Sequence, residues 1–115
     1  MIEVKPVEES VSRKTSTLAI TWKGLREVGG PADVAGSLSR SVQFAGDFDT
    51  ATVILEGSND GETWVVLQDH IGMAVICKGR DLRSVATMTR FVRPRVEGAG
   101  ANTKIDCTFL HRSSL

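Results

Sequence analysis

Asp47, Asp49, Asp60 and Asp69 are the carboxylates from which a general acid–base pair would have to be drawn. Each lies in or beside a stretch expected to turn, where Asp serves through its hydrogen bonds to nearby backbone. Turn duty is therefore the reading for all four, ahead of a glycosidase pair. His70 and His111 have no nucleophile in a recognisable elbow, because Ser58 within Gly57-Ser58-Asn59 is not a G-x-S-x-G arrangement. Gly57 and Gly61 lack the spacing and the following helix of a phosphate-binding loop. Asn59, Asp60 and Glu62 offer oxygens to calcium, but not at the alternating spacing of an EF-hand, and turn chemistry accounts for Asn and Asp without a metal. Cys77 and Cys107 have no CxxC partner and read as buried free thiols. A disulfide stays open if their strands face each other, whereas a zinc site lacks ligands at workable spacing. Trp22 and Trp64 would suit a sugar-stacking platform, but each ends or begins an apolar strand and reads first as a core or subunit-contact aromatic. The expectation is a protein that is not an enzyme and holds no cofactor and no metal.

The chain has 115 residues, enough for one domain that buries roughly two-thirds of its unfolded surface. Fourteen basic and fourteen acidic side chains cancel. That balance argues against a domain that lives on nucleic-acid phosphates and leaves little electrostatic resistance to self-association. No apolar run approaches the roughly 18 residues of a membrane span. The N-terminus, MIEVKPVEESVSRK, has no apolar signal core, so cytoplasmic synthesis is expected.

The elements that would position these residues are strands. The run TATVILEGSNDGETWVVL, from Thr50 to Leu67, sets β-branched segments on either side of Gly57-Ser58-Asn59-Asp60-Gly61 and predicts a hairpin turning at Asn59-Asp60-Gly61. Residues 1–14 are polar and interrupted by Pro6, an extended arm ahead of a sandwich domain over 15–115. Ser16 to Trp22 alternates with Leu18, Ile20 and Trp22 on one face. Gly24 to Gly36 reads as a loop, long enough to be a contact element. Val42 and Phe44 point inward from Ser39 to Phe44, as do Val53 and Leu55 in the hairpin. Ile71 to Cys77 is strand-like. Pro94, inside Val92-Arg93-Pro94-Arg95-Val96, belongs on an edge or at a bulge because it cannot donate to a ladder. Lys104 to His111 alternates most cleanly, with Ile105, Cys107 and Phe109 on one face. Seven to eight short strands and no long helix predict an all-β, single-domain β-sandwich, with jelly roll as its expected form. Its expected core is Leu18, Ile20, Val42, Phe44, Val53, Leu55, Val65, Ile105, Cys107 and Phe109.

Four pieces occur in an order that carries a resemblance: Trp22-Lys23-Gly24-Leu25, Ser41-Val42-Gln43-Phe44-Ala45-Gly46-Asp47-Phe48, Val53 through Trp64, and Arg90-Phe91-Val92-Arg93-Pro94-Arg95-Val96. Together, over roughly residues 20 to 110, they resemble a family of small virion structural proteins found near capsid genes in tailed bacteriophages. The resemblance implies a jelly-roll head decoration or cement protein on the capsid exterior, assembled in the host cytoplasm. Its partner would be the major capsid protein, with no nucleic acid and no membrane, and it would self-associate as a trimer. The contact residues so implied are Ile2, Val4 and Val7 of the arm, Trp22, Leu25, and Arg93 and Arg95 pairing with acids across the contact. A neck, tail or baseplate sandwich of the same particle fits the same pieces. Discoidin-like, galactose-binding sandwiches share the G-S-x-D-G-x-x-W hairpin, but this chain is shorter and lacks their terminal cysteine pair; a carbohydrate-binding module is the alternative.

Overall fold

The structure, a computed structural model, describes residues 3–12, 14 and 16–113. Two sheets form a sandwich, and no helix occurs among the described residues. The strands are β1 (Glu3–Val4), β2 (Val7–Ser12), β3 (Thr17–Leu25), β4 (Val28–Gly29), β5 (Ala32–Asp33), β6 (Ser39–Asp47), β7 (Thr52–Ser58), β8 (Val65–Val66), β9 (Ile76–Cys77), β10 (Asp81–Ser84), β11 (Phe91–Glu97) and β12 (Lys104–Arg112). One sheet runs β1-β4-β11-β7-β8, with β5 also on β11 and β9 also on β7; the other runs β10-β6-β12-β3-β2. Every pairing is antiparallel except β1 with β4. Five of the twelve strands are two residues long, too short to show as alternation, and the seven longer ones are those a period-two pattern can reveal.

The core lies between the sheets, where strands with apolar residues at every second position turn those faces together. Ile20, Val42, Phe44, Val53, Leu55, Ile105, Cys107 and Phe109 are all buried in it, as expected. Two expected members are not. Leu18 is half-buried, at the end of the sheet between Ser10 and His111. Val65 is 57% exposed, because it ends a two-residue edge strand opposite Gly57 while Leu67 fills the space over that glycine.

Local expectations are corrected at three places. Gly24 to Gly36 is not a free loop but carries β4 and β5. Ile71 to Cys77 is strand only at Ile76–Cys77, with Ile71 on the preceding turn. Pro94 is not on an edge strand, since β11 has β7 on one side and β4 and β5 on the other. The N–H of Val96 donates to Glu27 on the β4 side, so the nitrogen of Pro94, two residues earlier, faces that side too. There the neighbour is interrupted between Gly29 and Ala32, and the missing donor costs no ladder bond. Residues 3–12, expected as an arm, are extended and paired: β1 enters the first sheet and β2 edges the second.

Candidate contact surfaces

The hairpin between β7 and β8 shows what its polar residues do. Asp60 Oδ1 accepts from the backbone N–H of Glu62 and Thr63, each at 2.8 Å, and from the Ser58 hydroxyl at 2.8 Å. Those bonds hold the carboxyl well below the usual carboxylate range. Ser58 Oγ accepts from Gly61 N–H at 2.9 Å, and Gly61 takes φ +79°. Asn59 Oδ1 accepts from the Arg90 N–H, tying the turn to the start of β11. The other acids behave alike. Asp47 accepts from the Asp49 N–H, Asp49 from the Asn102 N–H, and Asp69 Oδ1 from the N–H of Ile71 and Met73. Those N–H bonds, with Arg83 at 3.2 Å, lower the pKa of Asp69. Each acid is thus consumed in shaping backbone. Among the described residues, no group of three or more His, Cys, Asp or Glu is placed to hold a metal.

Cys77 and Cys107 are free and buried. Burial pushes the Cys77 thiol up to about 11 and the Cys107 thiol well above its ordinary value, which leaves both poor nucleophiles.

The expected contact residues separate into three groups. Trp22 and Leu25 are fully buried, and Trp22 Nε1 donates to the Gly30 carbonyl at 2.8 Å. They are core side chains that no neighbour can reach in the folded chain. Val4 packs against the core, Val7 is exposed on β2, and Ile2 lies outside the described residues. Arg93 and Arg95 lie on the outer face of the first sheet, but both have partners within the chain. Arg93 Nε is 3.1 Å and Arg95 Nε 3.2 Å from the Glu56 carboxylate, and Arg95 also pairs with Glu97. The Arg93 guanidinium lies 4.1 Å from the Trp64 ring centre, so one face of Trp64 is taken and is not an open sugar platform.

What presents apolar surface is the stretch from 65 to 88. Of the eleven large hydrophobic side chains exposed among the described residues, seven belong to it: Val65, Val66, Ile71, Met73, Ile76, Leu82 and Met88. The other four are Val7 and Val11 on β2, Leu38, and Leu110 on β12. The stretch closes one long side of the sandwich. β8 and β9 pair with β7 in the first sheet, while Gln68 O accepts from the Ala86 N–H and Asp69 bridges Val85, just past β10 of the second. Asp69 and Arg83 then pin the turn that carries Ile71, 80% exposed. Periodicity missed this side because its strands are too short, although the apolar Ile71 and Met73 next to Asp69-His70 and Gly72 were visible.

Two buried polar groups also escaped the sequence reading. Arg40 donates to Ser37 Oγ at 2.6 Å and to the carbonyls of Val34 and Thr89 at 3.1 and 2.7 Å. His111 lies opposite Arg40 on β12, buried and without a hydrogen-bond partner on either ring nitrogen among the described residues. The signal was the alternation itself, which points residue 40 the same way as Val42 and Phe44, and 111 the same way as Phe109.

Compared with known proteins, no protein-family profile and no curated protein matches the chain. Among solved structures it is similar to the SPBc2 prophage-derived protein YomS, with a TM-score of 0.62 at 7% identity, over 84% of this chain and 95% of that one. That likeness is one of fold. The CBM32 of AlyQ, solved with 4,5-unsaturated mannuronic acid, gives a TM-score of 0.39 at 13% identity over 90% of this chain and 74% of that one, too distant to argue from.

Proposed function

We propose that the chain is a non-enzymatic structural protein of a tailed-bacteriophage particle, seated on the outside of the head and bracing its major capsid protein. The observation that carries this reading is the apolar side from Val65 to Met88, held rigid by backbone pairing and by the Asp69–Arg83 contact. Soluble chains rarely leave such a set uncovered without a partner for it. The ordered sequence pieces shared with virion proteins support it, as does a fold neighbour whose name is prophage-derived. The candidate chemistry of the sequence resolves into turns and core, which is what a bracing protein needs. Each aliphatic side chain buried against a head would contribute roughly 1.5 to 3 kcal/mol before ordering costs.

The test is binding of the purified chain to isolated heads that lack it. Wild type binds; Ile71→Ser with Met73→Ser, both on the exposed turn and outside the core, lowers affinity at least tenfold with unchanged circular dichroism. Unaltered head binding by that variant, or localisation of the chain to the neck or tail in purified particles, would overturn the reading.

A further inference from the structure

The outer face of the second sheet carries uncharged residues at its centre and charged ones toward the ends of β12. Cross-strand register places two rows on it: Leu82, Gln43, Thr108, Thr21 and Val7, and Ser84, Ser41, Leu110, Ala19 and Glu9. Over the three central strands these six are uncharged, and Thr108, Thr21, Ser41 and Ala19 are small, whereas a solvated sheet face ordinarily carries charge there. Charge returns at the ends of β12. Arg112 closes one end, and Asp106 followed by the exposed Lys104 the other, with the exposed Lys23 on β3; Arg112 and Asp106 are each three residues from Phe109. Asp106 Oδ1 accepts from the Gly24 N–H at 3.0 Å. Arg112 Nε is buried and unpartnered among the described residues. Within one chain the two are six residues apart along an extended strand, roughly 20 Å, so they cannot meet.

We infer that this face packs against the same face of a second copy, about a two-fold axis that runs parallel to the sheet, midway between the two copies, and crosses over β12 at the level of Phe109. That operation sets Arg112 of each copy over Asp106 of the other, giving two ion pairs. It also sets Leu110 over Thr108, Ser41 over Gln43, Ala19 over Thr21, and Leu82 over Ser84. No like charges oppose one another across these positions, as a self-complementary interface requires. Small side chains let two sheets approach to the ordinary face-to-face spacing of about 10 Å. Five strands and seven residues of β12 span about 24 by 23 Å, a footprint of about 550 Å². Its corrugated accessible surface exceeds that footprint and approaches the roughly 600 to 1,000 Å² per partner of specific interfaces. The two-fold is inferred from these residues, whereas the three-fold is what the family resemblance implies. The two-fold does not rest on the proposed head contact, with which it shares Leu82 alone among the residues named.

Sedimentation equilibrium of the full chain tests it, with twice the 12.4 kDa chain mass expected at tens of micromolar. Thr108→Arg, at the centre of the face, shifts the mass to that of one chain with unchanged circular dichroism. Arg112→Asp alone and Asp106→Arg alone each weaken association at least tenfold, and the two together restore it, because the reversed charges still meet across the axis. A monomeric wild type at 100 μM, a dimer indifferent to Thr108→Arg, or a double reversal no better than either single one overturns the inference.

Discussion

Trp64 and Arg93 are stacked, the guanidinium 4.1 Å from the indole ring centre, on the outer face of the sheet formed by β7 and β11. The stack continues through Glu56, 7% exposed, which accepts from Arg93 and also contacts Arg95. A carboxylate that is nearly buried beneath two cations and an aromatic ring is a structural clamp between strands, which is why the arginines are poorly placed to seek a partner's acids.

The clamp predicts an ordering of losses. Trp64→Ala should lower stability by about 1 to 2 kcal/mol, through lost ring burial and the cation–π contact. Glu56→Ala should cost more, about 2 to 3 kcal/mol, because two guanidinium groups lose their shared counter-charge on one face; partial exposure of both arginines keeps it under the full cost of a buried pair. Urea unfolding of the two variants checks the order, and Trp64→Ala proving the costlier would show that the ring, not the carboxylate, organises the face.

A second prediction concerns Gly29. A Cβ there would stand 2.7 Å from Trp22 Cδ1 and 2.8 Å from Pro94 Cδ, both fixed in the interior. Gly29→Ala should therefore destabilise by about 1 to 3 kcal/mol through overpacking. Coupling it with Trp22→Phe, which opens space, should give a loss smaller than the sum of the two single losses in a thermal-denaturation cycle.

How much of this was legible depends on length of pattern. β3, β6 and β12 alternate over most of nine residues, and their inward positions were readable from the sequence with Leu18 the exception; β7 is buried on both faces, with Val53 and Leu55 still readable as inward. The hairpin turn was readable because Ser58, Asn59, Asp60 and Gly61 each have a local reason to be there. The side built from 65 to 88 was not, since a two-residue strand has no period and its fixing bonds, such as Asp69 to Arg83, link residues fourteen apart. Trp22 shows a different failure. Alternation already set it on one face with Leu18 and Ile20, a core or a contact position; its register against Cys107 and its indole N–H on the Gly30 carbonyl decide for the core.

A third prediction is a loss of stability with mild acid. Burial lowers the pKa of His111; Glu8 opposes it with a lesser raising effect, and Arg40 on the paired strand adds a smaller lowering one. The unfolded chain then binds the proton more readily than the folded one, so stability rises with pH in this range. It should fall as pH drops through the ordinary histidine value near 6.5 toward the lower folded value. His111→Phe, which keeps a ring 6.2 Å from that of Phe109, should flatten the dependence between pH 7 and 5. An unchanged slope in that variant would assign the effect to another group.

The last prediction separates strain from space at the hairpin turn. Gly61 has φ +79°, and a Cβ there would lie 3.6 Å from the Phe91 ring, an ordinary contact. Substitution therefore costs through backbone conformation alone. Gly61→Val should lose on the order of 1 kcal/mol or more, since a β-branched residue is strained at positive φ, while Gly61→Asn, which tolerates that region, should recover much of the loss. The neighbouring Asp60 adds a pH signature of opposite position to that of His111. Its folded pKa is depressed by the N–H groups of Thr63 and Glu62, so its contribution is present above the ordinary Asp value near 3.9 and is lost as pH falls below it. Asp60→Asn, which keeps an acceptor oxygen but no charge, should remove that acid-limb dependence. Acid titrations of the two proteins followed by circular dichroism decide it: superimposable curves below pH 4 would mean that the turn holds without its charge.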